Sequence, residues 1–263
     1  MFPISEQPDY TRDIETLLSN VPRKLSIRKE TKNIDLVPTL NTSPETLWLF
    51  ELKENDFNHV LRHLKPKQLY IYGMRFSDLS ALENLDETKM IHICWNTKNT
   101  NLWRIQKNKN LRNLIIEDFK RLGDISELSL CTHLEELALI GGQWNDIKLD
   151  TLTPLQTLKT LSSLELSSVR VKDESLLPLS HLKGLKELYV ANQFPTEEFA
   201  RLSVLLPNTA CESFQPYVKL QYPIEDEDVM VIGKRKPFLN STKDATKLEK
   251  YTKQFRVFQD KYR

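Results

Sequence analysis

The chain is poor in glycine, in cysteine and in long apolar runs. Six glycines in 263 residues leave no Gly-rich loop of the kind that cradles a nucleotide phosphate. The three cysteines, Cys94, Cys131 and Cys211, are an odd and sparse set. They argue against a disulfide framework and predict free thiols in a reducing compartment, hence a cytoplasmic protein. No run approaches the roughly 18 apolar residues that a membrane span requires. The first ten residues, MFPISEQPDY, have neither a basic nor an apolar region of the secretory type. A large net charge is missing as well. At +1, the chain as a whole has no strong pull toward nucleic acid or an anionic membrane.

What the chain does have is a period. Aliphatic residues spaced two apart recur as Leu25/Ile27, Leu47/Leu49, Leu69/Ile71, Ile91/Ile93, Leu114/Ile116, Leu137/Leu139, Leu164/Leu166 and Leu188/Val190. The steps between pairs are 22, 22, 22, 23, 23, 27 and 24 residues. A repeat of this length predicts a solenoid. Three residues before each pair stand Pro22, Pro44, Pro66, Thr88, Leu111, Leu134, Leu161 and Leu185. The later repeats therefore read LRNLII, LEELAL, LSSLEL and LKELYV. Between pairs lie second apolar sets such as Phe57/Val60/Leu61/Leu64 and Leu176/Leu179/Leu182. Their three- and four-residue spacing suits short helices or 3₁₀ turns on a convex side.

These segments fit the L-x-x-L-x-L core, and over residues 22–213 the chain resembles the leucine-rich repeat superfamily, in particular its small intracellular bacterial-type members. The resemblance implies an α/β solenoid: a horseshoe with a parallel sheet of about eight or nine short strands. It also implies a protein partner rather than a substrate. One column departs from the pattern. Five residues after the first member of each pair the superfamily usually places Asn or Cys. Here the column reads Glu30, Leu52, Met74, Asn96, Phe119, Gly142, Val169, Gln193, and only Asn96 fits. Irregular curvature is expected, with a bulge in the 27-residue step at Gly141-Gly142-Gln143-Trp144.

Three segments follow from this reading: an N-terminal helical cap over 1–21, the solenoid over 22–215, and an appendage over 216–263. Residues 8–20 predict a short helix with Ile14, Leu17 and Leu18 on one side. A ninth, degenerate strand is expected at 211–213. Residues 217–222 and 229–234 predict a hairpin around the acidic loop Glu225-Asp226-Glu227-Asp228. Leu248, Tyr251, Phe255 and Phe258 then form one stripe of an amphipathic helix. Residues 230–263 hold ten Lys/Arg against three Asp/Glu, a net of +7, which leaves −6 on the remainder.

The residues that alternate with the buried pairs face the concave side. Between the aliphatics they read Ser26, Trp48, Tyr70, His92, Ile115, Ala138, Glu165, Tyr189; just after them, Arg28, Phe50, Tyr72, Cys94, Glu117, Ile140, Ser167, Ala191. Trp48, Phe50, Tyr70, Tyr72 and His92, with Trp95 at the rim, form an apolar patch of the kind that marks interaction sites. Glu117 and Glu165 turn the later repeats acidic and would steer a partner with a basic flank. Two plainer readings of the patch are a terminal segment folded over it and a slipped register.

Other constellations are weaker. His59 and His63 share a helix face but lack a third ligand for a metal. His92 and Cys94 share a strand face without any oxyanion site. Gly233-Lys234-Arg235-Lys236-Pro237 lacks P-loop spacing. With the basic last helix it gives an alternative reading as a nucleic-acid-associated factor, against packing of a basic tail on an acidic body. A further alternative is an inhibitor that neutralises a co-produced protein. The sequence thus predicts a non-enzymatic protein-binding module with no catalytic residues, cofactor or metal. It specifies no oligomeric state.

Overall fold

The structure, a computed structural model, describes residues 6–263. The first five residues of the cap expected over 1–21 lie outside the described residues. In chain order the strands are β1 (Lys24–Arg28), β2 (Thr46–Phe50), β3 (Gln68–Tyr72), β4 (Met90–Asn96), β5 (Asn113–Phe119), β6 (Glu136–Ile140), β7 (Ile147–Leu149), β8 (Ser163–Ser167), β9 (Val169–Val171), β10 (Glu187–Val190), β11 (Tyr217–Ile224), β12 (Glu227–Val231) and β13 (Phe238–Leu239). The helices are α1 (Glu54–His63), α2 (Thr196–Leu205) and α3 (Ala245–Asp260).

Eight strands form one parallel sheet in the order β1-β2-β3-β4-β5-β6-β8-β10. Each strand pairs with the next so that the aliphatic pairs stand in register, from Leu25 beside Leu47 to Leu188 beside Leu164. One strand cannot cover its own apolar edge; stacked strands can, and all sixteen aliphatics of the pairs are buried. The three repeats that open with Pro keep the same register as those that open with Leu. In the later repeats the Leu N–H closes a turn onto the carbonyl three residues back, as Leu134 does onto Cys131 at 3.1 Å. Proline has no such donor, and the strand forms without it.

The return segments are mostly 3₁₀ turns, at Ile34–Thr39, Ser80–Asn84, Ile105–Lys107, Ser126–Leu130, Thr153–Thr157 and Leu177–His181. Two become full α-helices. Both α1 and α2 carry acidic residues in the first turn, which suits the positive end of the helix dipole. Pro66 and Pro207 stand within three residues of their ends and stop them. The column without the usual asparagines is core instead: Leu52, Met74, Phe119 and Val169 are all buried. Apolar packing replaces the side-chain ladder there. Asn96 alone works as the ladder residue would. Its Nδ2 donates to Phe76 O at 3.3 Å, and its Oδ1 accepts from the N–H groups of Lys98 and Asn99 at 2.8 and 3.0 Å.

The 27-residue step has a defined purpose. Its extra residues let β7 pair in parallel with β9, a second small sheet on the rim of the solenoid. Gly141 and Gly142 permit the turn before it: a Cβ on Gly142 would overlap the Asp118 carboxylate, and one on Gly141 would overlap Ser168 O.

Three expectations at the ends need correction. Residues 8–20 form no α-helix. Only Ile14–Leu17 is helical, and it is 3₁₀, with the Asp13 carboxylate accepting from Glu15 N at 3.0 Å. Asp13 bridges Lys32 in parallel, so the segment extends the stack like a partial repeat. The ninth strand reduces to one bridge, Ala210 beside Glu187, one residue before the expected span. The acidic loop is shorter than four residues. Glu227 and Asp228 belong to β12, and Glu225, at φ 53°, makes the turn. The hairpin and β13 form a separate antiparallel sheet.

In α3, Leu248 and Phe255 are buried, and Tyr251 and Phe258 pack partly buried. The helix lies against α2, where Gln259 Nε2 donates to Ser203 Oγ at 2.8 Å and Tyr262 Oη donates to Glu197 at 2.8 Å. Basic residues of the appendage are spent on nearby carboxylates: Lys243 on Asp226, Lys247 on Asp244, Lys253 on Glu249 and Lys261 on Glu197. Of these, only Lys261 on Glu197 reaches the solenoid, as Lys234 does on Glu174; the other three pairs lie within the appendage itself. No helix among the described residues is long and apolar enough to cross a membrane.

Candidate interaction face

The in-register sheet turns the two concave columns into two rows of side chains about 4.8 Å apart. Trp48 stands beside Tyr70, Tyr70 beside His92, and Phe50 beside Tyr72, Tyr72 beside Cys94. A slipped register is therefore excluded. The rings of Trp48 and Tyr70 stack with centroids 3.9 Å apart and planes 11° apart. Tyr70 lies 6.1 Å from the His92 ring, and Phe50 6.0 Å from Tyr72. Tyr72 meets Trp95 at 5.7 Å. Trp95 sits on the rim at φ 62°, where it crosses Gly73 closely enough that a side chain there would press on its ring. The Arg75 guanidinium covers Trp95 at 4.9 Å. Such ring pairs contribute about 0.5–1.5 kcal/mol each beyond area burial.

This patch is a packed cluster rather than an open wall. Trp48 and His92 are each only 2 % exposed, and Phe50 and Cys94 are buried; Tyr70, Tyr72 and Trp95 are half-buried. Part of the cover is the N-terminal segment. Gln7 Nε2 donates to the concave Ser26 Oγ at 2.9 Å, and Arg28 donates to Gln7 Oε1 at 3.2 Å. Arg28 is sandwiched between the rings of Tyr10 and Phe50, 5.0 Å from each. The Tyr70 hydroxyl is pushed up from its ordinary pKa by burial and then by the nearby Glu6 carboxylate, so the segment also reaches the third strand.

His92 Nε2 lies 3.1 Å from Glu117 Oε2, a pair that joins the aromatic repeats to the acidic ones. Burial pushes the Cys94 thiol up to about 12, with Glu117 and Asp118 adding to the effect. It is a protonated packing group at neutral pH and not an activated nucleophile. Among the described residues no three His, Cys, Asp or Glu side chains are grouped to hold a metal ion. His59 and His63 meet on α1 with ring centroids 5.1 Å apart and planes tilted by 58°.

From β5 onward the concave face opens. Ile115, Glu117, Ile140 and Glu165 are half-buried, and Tyr189 is 54 % exposed. Tyr189 belongs to the same column as Trp48, and the column was the signal that could have marked it as an anchor. Glu165 lies beside Tyr189 and well away from the aromatic cluster, three strands on from His92 in sheet order.

No protein-family model matches the sequence, and no curated protein matches it. Solved structures do. The internalin inlF from Listeria monocytogenes superposes with a TM-score of 0.58 at 16 % identity, covering 75 % of this chain and 62 % of that one. A leucine-rich repeat protein of Leptospira interrogans gives 0.59 at 18 %, covering 78 % and 58 %. This chain has the leucine-rich repeat fold. The Listeria internalin inlC2 gives 0.52 at 17 %, covering 75 % and 79 %. The chain thus spans less than two thirds of two of these three relatives. At such identities the leucine-rich repeat likeness concerns the fold alone.

Proposed function

We propose that this chain is a non-enzymatic module that binds a protein partner on its concave face. The reading rests above all on one observation: the concave column ends in an exposed tyrosine, Tyr189, beside Glu165, on an otherwise regular sheet. Tyrosine supplies a large contact area with few torsions to immobilise, and it is enriched among residues that dominate binding energy. In this reading Ile140, Glu165 and Tyr189 make first contact. Glu117 steers charge, and Tyr70, Tyr72 and Trp95 extend the surface. Trp48, Phe50 and His92 act as the stacked backing that holds the half-buried rings in place. A partner with an apolar anchor and a basic flank suits both halves, and the cytoplasm suits three unbridged thiols.

The test is a paired substitution at exposed and backing positions. Tyr189→Ala with Glu165→Ala is expected to lose capture of the natural partner from native cells while the melting temperature stays unchanged. Trp48→Ala is expected to lower both. Capture that survives the first pair, with the fold intact, contradicts the assignment.

A further inference from the structure

The rim of the solenoid holds a second feature, independent of the concave face. Between the β7–β9 sheet and the turn after β12 lies a cavity of about 650 Å³, within the size range of small-molecule sites. Its floor is apolar: Leu149, Val171 and Phe194 are all buried. The in-register pairing of β7 with β9 sets Lys148 beside Arg170 at its lip.

The other wall is the turn Gly233–Lys236, and it is firmly built. Asn192 holds it from both sides, donating from Nδ2 to Val231 O at 2.9 Å and accepting at Oδ1 from Gly233 N at 2.6 Å. Lys234 N donates to Phe194 O at 2.7 Å, and Thr196 Oγ1 donates to Ile232 O at 2.8 Å. Gly233, at φ 131°, has no room for a Cβ against Thr196. Arg235 is held at φ 59°, a conformation unfavourable for a residue with a side chain. Strained residues of this kind persist where the surroundings fix them, and they cluster at ligand clamps.

The charges around the cavity are unequal. Arg170 pairs with Asp146, Lys172 with Asp150 and Lys234 with Glu174. Among the described residues no carboxylate lies within ion-pair distance of Lys148 or Arg235, one on each wall. An apolar floor under two uncommitted cations does not suit a bare inorganic anion, which gains nothing from the floor.

We propose that this cavity binds a small organic anion: an apolar or aromatic body seated on Leu149, Val171 and Phe194, with a phosphate or carboxylate head between Lys148 and Arg235. The test is a titration of the full chain with phenyl phosphate, inorganic phosphate and phenol, followed by calorimetry and by amide NMR shifts. Phenyl phosphate is expected to bind one-to-one, to shift Val171 and Gly233, and to bind at least tenfold more tightly than either fragment. The variant Lys148→Gln with Arg235→Gly is expected to weaken it at least tenfold. Glycine at 235 suits the observed φ, so that variant folds. No saturable binding of phenyl phosphate, binding no tighter than that of inorganic phosphate or of phenol, or an unchanged affinity in the folded double variant would each overturn the proposal.

Discussion

Asn96 shows what a single residue does in this stack. It is fully buried, and its amide bonds three backbone groups of the rim turns. Removing the side chain leaves the buried Phe76 carbonyl and Asn99 N–H without it, at a cost of about 2–3 kcal/mol. Asn96→Ala is therefore expected to lower the chemical denaturation midpoint, and a variant as stable as the parent contradicts the role. Asn108 does similar work on the convex side. It donates to Leu82 O and Leu85 O at 2.7 and 3.1 Å and accepts from Trp103 Nε1 at 2.8 Å. Its position outside the motif gave no hint of this in the sequence. The thiols make a second residue-scale prediction. Burial pushes Cys94 and Cys131 up to about 12 and Cys211 up to about 11. Unfolded thiols ionise near 8.5. Because the native values are raised, stability from this source is level below about pH 8.5 and falls as pH rises toward the native values. Native protein at pH 8 is expected to react slowly with a disulfide reagent and to titrate three thiols once unfolded. Prompt reaction of three thiols in the native state would refute it.

At the scale of elements, the strands were legible because a buried pair every 22 to 27 residues leaves a parallel sheet few alternatives. The columns followed from the same alternation, so the neighbours of Trp48 and Phe50 could be named in advance. What surrounds those columns could not. The cover over Ser26 and Arg28 comes from Gln7 and Tyr10, polar or mixed residues with no periodic signature. The expected N-terminal helix failed for a related reason. Ile14 is buried, but Leu18 is exposed, and the backbone of this segment bonds sideways to the first repeat through Thr11 N to Ser26 O at 2.8 Å. Side-on bonding to an open sheet edge outweighed a weak helical pattern. First-turn acids do not sort the 3₁₀ turns from the true helices, since the turns at Ile34–Thr39, Ser80–Asn84 and Ser126–Leu130 carry them too. For α3 the stripe was sufficient. Phe255→Ala, which empties a buried site against the solenoid, is expected to cost about 3 kcal/mol or more. It should also raise hydrogen exchange across α3 before that of the parallel sheet. Uniform exchange across both would contradict a helix docked as a separate layer.

Across the whole molecule, the parallel sheet changes character from one end to the other. The first four strands bind their own aromatics and the N-terminal segment; the last strands leave Ile140 and Glu165 half-buried and Tyr189 exposed. The His92–Glu117 pair lies at the junction. A partner that needs the aromatic rings as well as the open end must displace the segment around Gln7. Gln7→Ala with Tyr10→Ala is thus expected to raise partner affinity, read by the dissociation rate, and an unchanged rate would show that the segment and the partner do not compete. The central claim is that the open concave face, rather than the convex turns, meets a protein. A photo-crosslinking amino acid placed at Tyr189, compared with one at the exposed convex Leu177, tests this in native cells. The account predicts one discrete adduct from position 189 and none from 177; adducts from 177 alone, or the same adduct from both, would contradict it.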